Sequence, residues 1–328
     1  MSTWNLPQRG QRVHIQEVVM RDGLQIEPIF VPTEDKVALI NELSRTGLPK
    51  IEVSSFISAK AVPALRDAEA VFQAIDRVPG VAYAALVLNI RGAERALECK
   101  VDEINLVVSA SETHNLVNTR MTRRQSRRAL REIIAMARGR MAINVSVSTA
   151  FGCPMEGEVE PGEVLDIADE FAALQVDGIT LCDTTGMANP AQVHGLCAGL
   201  AQRWPKTRLA LHFHNTRGMG LANVLAGLAS GIHHFDASLA GLGGCPFAPG
   251  ATGNICTEDA VHMLQSMGYD TGIDLDRLLA CSKQIPELVH HGVPGQVVHA
   301  GPWNTRHRVP SDFEAIRTRA LERDAQQA

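Results

Sequence analysis

Short apolar runs rich in β-branched residues alternate with segments whose apolar positions recur every three to four residues, from near the N-terminus to about residue 270. The short runs predict strands: VHIQEVVM (13–20), PKIEVSSF (49–56), VAYAALVL (81–88), VDEINLVVS (101–109), MAINVSVSTA (141–150), VDGITLCD (176–183), TRLALHFH (207–214) and HHFDASLAG (233–241). Between them, stretches such as TEDKVALINELSRTG (33–47), PGEVLDIADEFAALQ (161–175) and GLANVLAGLASG (220–231) each carry one apolar stripe and predict helices buried on one side. Thr33 and Thr122 stand where N-caps are expected, and Gly47 and Gly231 where helices should end. Eight strand-and-helix units predict a parallel α/β fold. The count of eight, with no G-x-G-x-x-G turn after the first strand, favours a closed (β/α)8 TIM barrel over an open doubly wound sheet. Residues 274–293 predict a C-terminal helical extension beyond the barrel, so residues 1–293 are expected to form one unit. The tail 294–328, rich in Arg, Pro and charge, is expected to be loosely held and partly disordered.

Composition narrows the class. A chain of 328 residues that is 45% hydrophobic can bury the large core a barrel needs. A formal net charge of −5 gives no reason to expect nucleic acid or an anionic membrane surface as a partner. The seven cysteines are scattered without a C-x-x-C pair, a reduced rather than disulfide-bonded pattern. The start, MSTWNLPQRGQRVHIQ, has neither a secretory apolar core nor an Arg/Ser-rich presequence, and no apolar run nears the ~20 residues of a membrane span. The expectation is a soluble cytoplasmic protein.

Chemistry in such a barrel belongs at the C-terminal ends of the strands. Polar residues interrupt the apolar runs there: Arg21 and Asp22 after the first strand, Glu52 late in the second, Asp183 ending the sixth, His212 and His214 ending the seventh. The eighth strand leads into GLGGCPFAPGATGN (241–254), with five glycines, Cys245 and Asn254. Residues two apart on a strand face one side about 6.5–7 Å apart, so His212 and His214 can meet at one ion or pack as core histidines. The hard oxygen ligands Asp22 and Asn254 on the same rim favour the ion, a divalent cation such as Mg²⁺ or Mn²⁺. Arg21 offers a fixed cation beside Asp22 that could hold an oxyanion such as a thioester enolate. Cys245, in a glycine-rich loop able to close, could serve as acid/base or as nucleophile; Cys153 is a second cysteine after a strand end. Glu52 and Asp183 read as supports for these groups. The adjacent pairs His233–His234 and His290–His291 read as structural. Arg120, Arg123, Arg124, Arg127, Arg128 and Arg131 recur at three- and four-residue spacing. They form either a solvated helix face or a dock for the phosphates of a nucleotide-bearing substrate.

Taken together, RDGLQ, IEVSSF, CDTTG, HFH and GLGGCPFAPGATGN resemble the 3-hydroxy-3-methylglutaryl-CoA lyases, from about Val13 to about His290. These are part of a metal-dependent barrel superfamily that includes isopropylmalate and homocitrate synthases. The RDG and HxH elements are common to that superfamily, whereas the cysteine-bearing glycine loop is specific to the lyases. The resemblance implies that Asp22, His212, His214 and Asn254 bind the cation, that Arg21 holds the enolate and that Cys245 acts as acid/base, with Glu52 and Asp183 in support. It implies a retro-Claisen cleavage of 3-hydroxy-3-methylglutaryl-CoA to acetyl-CoA and acetoacetate, a step of leucine degradation, with His212 or Asp22 as the base. It also implies an acyl-CoA partner and a homo-oligomer, dimer or tetramer. The alternative is a Claisen-condensing acyltransferase that uses acetyl-CoA and an α-keto acid. Met20, Ile26, Asn215 and Arg217 depart from the residues usual in the lyases. Asn215 and Arg217 are therefore expected at the acyl group, and a citramalyl-like or longer branched thioester is a second substrate class.

Overall fold

In a computed structural model that describes residue 6, residues 8–244 and residues 253–327, the eight predicted strands all form. They are β1 (His14–Glu17), β2 (Lys50–Ser55), β3 (Ala82–Val87), β4 (Glu103–Ser109), β5 (Ala142–Ser148), β6 (Gly178–Asp183), β7 (Arg208–Phe213) and β8 (His234–Ala237). Each pairs in parallel with the next, and β8 returns to β1 with His14 opposite His234, closing the barrel. The helices on its outside are α1 (Thr33–Leu43), α2 (Ala68–Ala74), α3 (Ile90–Glu98), α4 (Glu112–Thr119), α5 (Arg123–Ala137), α6 (Pro161–Ala173) and α7 (Pro190–Cys197). They continue with α8 (Leu200–Arg203), α9 (Gly220–Ala229) and α10 (Thr257–Ser266). Beyond these lie α11 (Leu275–Ser282), α12 (Ile285–Val289), α13 (Val297–Ala300) and α14 (Phe313–Gln327), the last without a buried residue. Thr122 caps α5 through a reciprocal pair with Gln125, as its position before the helix predicts.

The strands are buried on both sides, yet they are not uniformly apolar. In β5, Ile143, Val145 and Val147 join the apolar core beneath the helices. The alternate residues Asn144 and Ser146 point into the barrel, where they meet Asn105 of β4 and Thr180 of β6 at 2.8–3.0 Å. The interior is thus a hydrogen-bonded polar layer, each polar group with a partner, as burial requires. Below it, Glu103 receives Lys50 at 2.5 Å and Arg208 at 2.6 Å, and His14 stacks on His234 at 4.5 Å. These side chains close the N-terminal end and leave the opposite end open.

The first strand is shorter than its apolar run. It ends at Glu17 because the Glu17 carboxylate takes the N–H of Val19 at 2.8 Å, and the Val18 carbonyl collects the N–H groups of Arg21, Asp22 and Gly23. The result is one tight π-helical turn, Val19–Gly23, in place of three further strand residues. Glu17 also accepts from the Leu239 N–H at 2.8 Å and the Thr257 hydroxyl at 2.7 Å. One buried carboxylate therefore pins the end of β1, the end of β8 and the start of α10 together.

Candidate metal centre at the barrel mouth

The π-helical turn aims Arg21 and Asp22 across the open end of the barrel. Arg21 donates through Nε to Glu52 Oε2 at 2.5 Å and through its other arm to Asp22 Oδ1. The second Glu52 oxygen accepts from Asn105 at 3.0 Å, so the polar interior layer holds the carboxylate that holds the arginine. From the opposite side, His212 and His214 bring Nε2 within 3.9 and 3.7 Å of Asp22 Oδ2. One donor atom from each of Asp22, His212 and His214 lies within 4.8 Å of the others.

Asn254 completes the group. It forms an isolated bridge with His214, and its amide nitrogen donates to Asp22 Oδ2 at 2.8 Å and to the Leu242 carbonyl at 3.2 Å. Those two acceptors fix the amide orientation and leave Asn254 Oδ1 buried without a hydrogen-bond partner among the described residues. An orphaned acceptor there costs on the order of 1–3 kcal/mol unless something fills it. Two imidazoles, a carboxylate and an amide oxygen fit a divalent cation of the Mg²⁺ or Mn²⁺ kind, with positions left for substrate.

Glycines let the backbone close around this cluster. A Cβ on Gly253 (φ +91°) would stand 2.2 Å from the Gly241 carbonyl oxygen and 2.3 Å from that of Gly243. One on Gly243 (φ +99°) would stand 2.8 Å from the Asn254 amide nitrogen and 2.9 Å from the Asp22 carbonyl. The ends of the glycine loop are thus packed directly on the cluster. Cys245, expected to act from that loop, lies outside the described residues.

The charges are arranged to keep the ligands ready. Burial works to raise the Asp22 carboxyl, but Arg21, His212, His214 and the Asn254 amide outweigh it and hold it well below the usual carboxylate range. Burial likewise disfavours the Arg21 charge, and Glu52 and Asp22 more than restore it. Burial and the neighbouring His212 push His214 down to about 4, which keeps it a neutral ligand at neutral pH. His212 moves the other way. Burial lowers it, but Asp236, 3.3 Å from Nδ1, and Asp22 outweigh that and raise it.

A cavity of about 750 Å³ opens over the cluster, with Arg21, Asp22, His212 and His214 at its inner end. Asp183 is not on its wall; it turns Oδ1 to the Met187 N–H at 2.7 Å, and burial raises its carboxyl to about 6. Asn215 and Arg217, expected at the acyl group, are not on the wall either. The Asn215 oxygen accepts from the Gly220 N–H at the start of α9, and the Arg217 guanidinium donates to the carbonyls of Thr185 and Gly186. Cys153 is buried, with its sulfur accepting from the Met155 N–H at 3.4 Å. Cys182 does line the cavity, but burial and the nearby Asp236 raise its thiol far above the ordinary range.

Two residues of this site escaped the sequence reading: Asp236 and Asn105. Their signal was alternation. A parallel strand covered on both sides should be continuously apolar, so the polar alternate positions of HFDAS and EINLV mark the side facing the barrel axis.

The HMGL-like family model matches residues 12–285. A hydroxymethylglutaryl-CoA lyase of Bacillus subtilis is 45% identical over 287 residues, 87% of this chain and 96% of that one. An (R)-citramalyl-CoA lyase of Chloroflexus aurantiacus is 38% identical, over 89% of this chain and 96% of that one. A solved HMG-CoA lyase of Acinetobacter baumannii, in complex with coenzyme A and 3-methylmalate, superposes with a TM-score of 0.88 at 49% identity, over 91% of this chain and 98% of that one.

Proposed function

Because the chain belongs to the HMGL-like family, we propose that it cleaves 3-hydroxy-3-methylglutaryl-CoA to acetyl-CoA and acetoacetate with a divalent cation held by Asp22, His212, His214 and Asn254. The observation that carries this reading is the Arg21–Glu52 pair set beside that ligand cluster at the inner end of one cavity. The bound cation, Mg²⁺ or Mn²⁺, supplies a Lewis acid that lowers the pKa of the substrate's C3 hydroxyl.

The chain's own residues do the rest. Of the two candidate bases, His212 would spend its Nε2 lone pair on the cation while Nδ1 faces Asp236, whereas each Asp22 oxygen keeps a second lone pair beyond the bond it accepts from Arg21 or Asn254. Asp22 is therefore the better acceptor of the hydroxyl proton. The C2–C3 bond then breaks, C3 becomes the ketone of acetoacetate, and the electron pair passes into the enolate of the acetyl thioester. Arg21, kept cationic and immobile between Glu52 and Asp22, offers its remaining N–H groups to the enolate oxygen. Cys245 is assigned the return of a proton to C2. The site lies in a chain with no helix long and apolar enough to cross a membrane among the described residues. We assign its working place to the cytoplasm and its working form to a homo-oligomer.

The test is acetyl-CoA release from 3-hydroxy-3-methylglutaryl-CoA with Mg²⁺ or Mn²⁺, expected to vanish on chelation and to return with added metal. Full activity after metal is stripped would overturn the reading. Release of free CoA thiol from acetyl-CoA plus an α-keto acid would point to condensation instead.

A further inference from the structure

The six arginines at three- and four-residue spacing do not share one role. Arg123 reaches Glu163 at 2.8 Å, Arg131 reaches Glu170 at 2.5 Å, and Arg127 reaches Asp166 at 2.8 Å and Glu170 as well. These three tie α5 to α6. Arg128 pairs with Glu132 on its own helix at 3.4 Å, and Arg124 is exposed on the same face.

Arg120 stands apart from them. It closes α4 in the left-handed conformation (φ 61°, ψ 24°), with its N–H on the Leu116 carbonyl at 3.0 Å. That backbone state suits Gly or Asn and costs an arginine roughly 1 kcal/mol. Arg120 is on the wall of the 750 Å³ cavity, beside Val117, Asn118 and Thr119. The wall carries two arginines among the described residues. Arg21 is neutralised by Glu52 and Asp22, while Arg120 is exposed and has no carboxylate in an ion pair with it among the described residues. The eight residues of α4 carry the chain about 12 Å from its first to its last turn. The cavity wall thus carries both the buried ligand cluster and an exposed cation. Apolar side chains such as Ile57, Val62 and Leu86 also line it.

Resting on the reading of the site as a CoA-thioester lyase, we propose that Arg120 anchors the phosphate end of the CoA moiety. A guanidinium meets phosphate oxygens in a bidentate fork, and an exposed one adds affinity that salt weakens. A pantetheine arm, with apolar segments between its amides, suits the apolar part of the wall. The diphosphate and the 3′-phosphate of CoA share the chemistry that this cation recognises.

Arg120→Asn keeps a residue comfortable in the left-handed turn and removes the charge. It is expected to raise KM for the CoA thioester about tenfold, as loss of one charge-assisted contact does, with kcat unchanged. KM for the corresponding pantetheine thioester, which has no phosphate of the nucleotide, should not move. Arg120→Lys should recover part of the loss, and added salt should raise the wild-type KM more than that of the Asn variant. An unchanged KM for the CoA thioester, or an equal rise for both thioesters, would overturn the assignment. Calorimetric titration with free CoA separates this from the lyase reading itself. Binding about tenfold tighter to wild type than to the Asn variant supports Arg120 even if no cleavage is seen, and equal binding removes it.

Discussion

His212 shows how much a single side chain depends on partners that a motif does not name. Its Nδ1 faces Asp236 at 3.3 Å, which sets the tautomer and points Nε2 toward Asp22. Asp236→Asn keeps the size of the side chain but replaces the acceptor that orients the ring. Such a change is expected to lower both kcat and metal affinity by roughly 10–100-fold while leaving the fold intact. Steady-state kinetics with a metal titration checks it; kinetics and affinity within twofold of wild type would remove Asp236 from the site. Asp22, His212 and His214 were legible in the sequence because a carboxylate and an HxH pair at strand ends have few other uses together. Asp236 was not, because a lone Asp inside HHFDASLAG also reads as an ordinary strand residue. Asn215 and Arg217 were conspicuous for the opposite reason: they depart from the residues expected beside the histidines. Their side chains, however, bind backbone groups around α9 and the loop after β6. Neighbourhood in sequence did not translate into a place on the cavity wall.

At the level of elements, the alternation of apolar runs and helical periods located all eight strands, and what it misjudged was where they stop. β1 and β8 leave the barrel at Glu17 and Ala237, earlier than their apolar runs end. Apolar composition cannot register a side-chain carboxylate that captures the next N–H, and at Glu17 that capture is what turns the strand into the Arg21–Asp22 turn. The glycine loop poses the same problem in reverse, since its glycines read as flexibility. At its C-terminal end, Gly253 instead works by close approach, with the carbonyls of Gly241 and Gly243 where a Cβ would be. Gly253→Ala must therefore move backbone next to Asn254, and its φ of +91° is itself unfavourable for alanine. The expected result is a loss of at least about 2 kcal/mol in unfolding free energy, with cleavage reduced more than a hundredfold. Urea denaturation alongside activity measures both. A variant with wild-type stability and rate would show that the two loop ends are not held together as described.

Over the whole molecule, the price of burying carboxyl groups is that stability depends on how they ionise. Glu17 is the clearest case, because it joins β1, β8 and α10 while fully enclosed. Burial raises its carboxyl to about 8, against the lowering effect of the Thr257, Leu239 and Val19 donors. A carboxyl whose folded pKa lies above its unfolded value of 4.5 binds its proton more tightly in the folded state. Its contribution is therefore complete below about pH 4.5 and is lost as the pH climbs to about 8. Asp22 has the opposite sign, since its depressed carboxyl contributes above the ordinary carboxylate range and loses that contribution in acid. The two can be separated by Glu17→Gln, which retains an acceptor for the Val19 and Leu239 N–H groups and can donate to the Thr257 hydroxyl. Asp22 titrates in both proteins, so it cancels in their difference. Between pH 5 and pH 8 the stability of the Gln variant relative to wild type should rise, by at least about 1 kcal/mol if the shift is of the size that burial implies. Urea denaturation of both proteins at several pH values measures this, with metal absent so that ligand binding does not add its own pH dependence. Parallel curves would mean that the three donors keep Glu17 ionised in the fold. A falling difference would reverse the sign and assign this junction a stabilising negative charge.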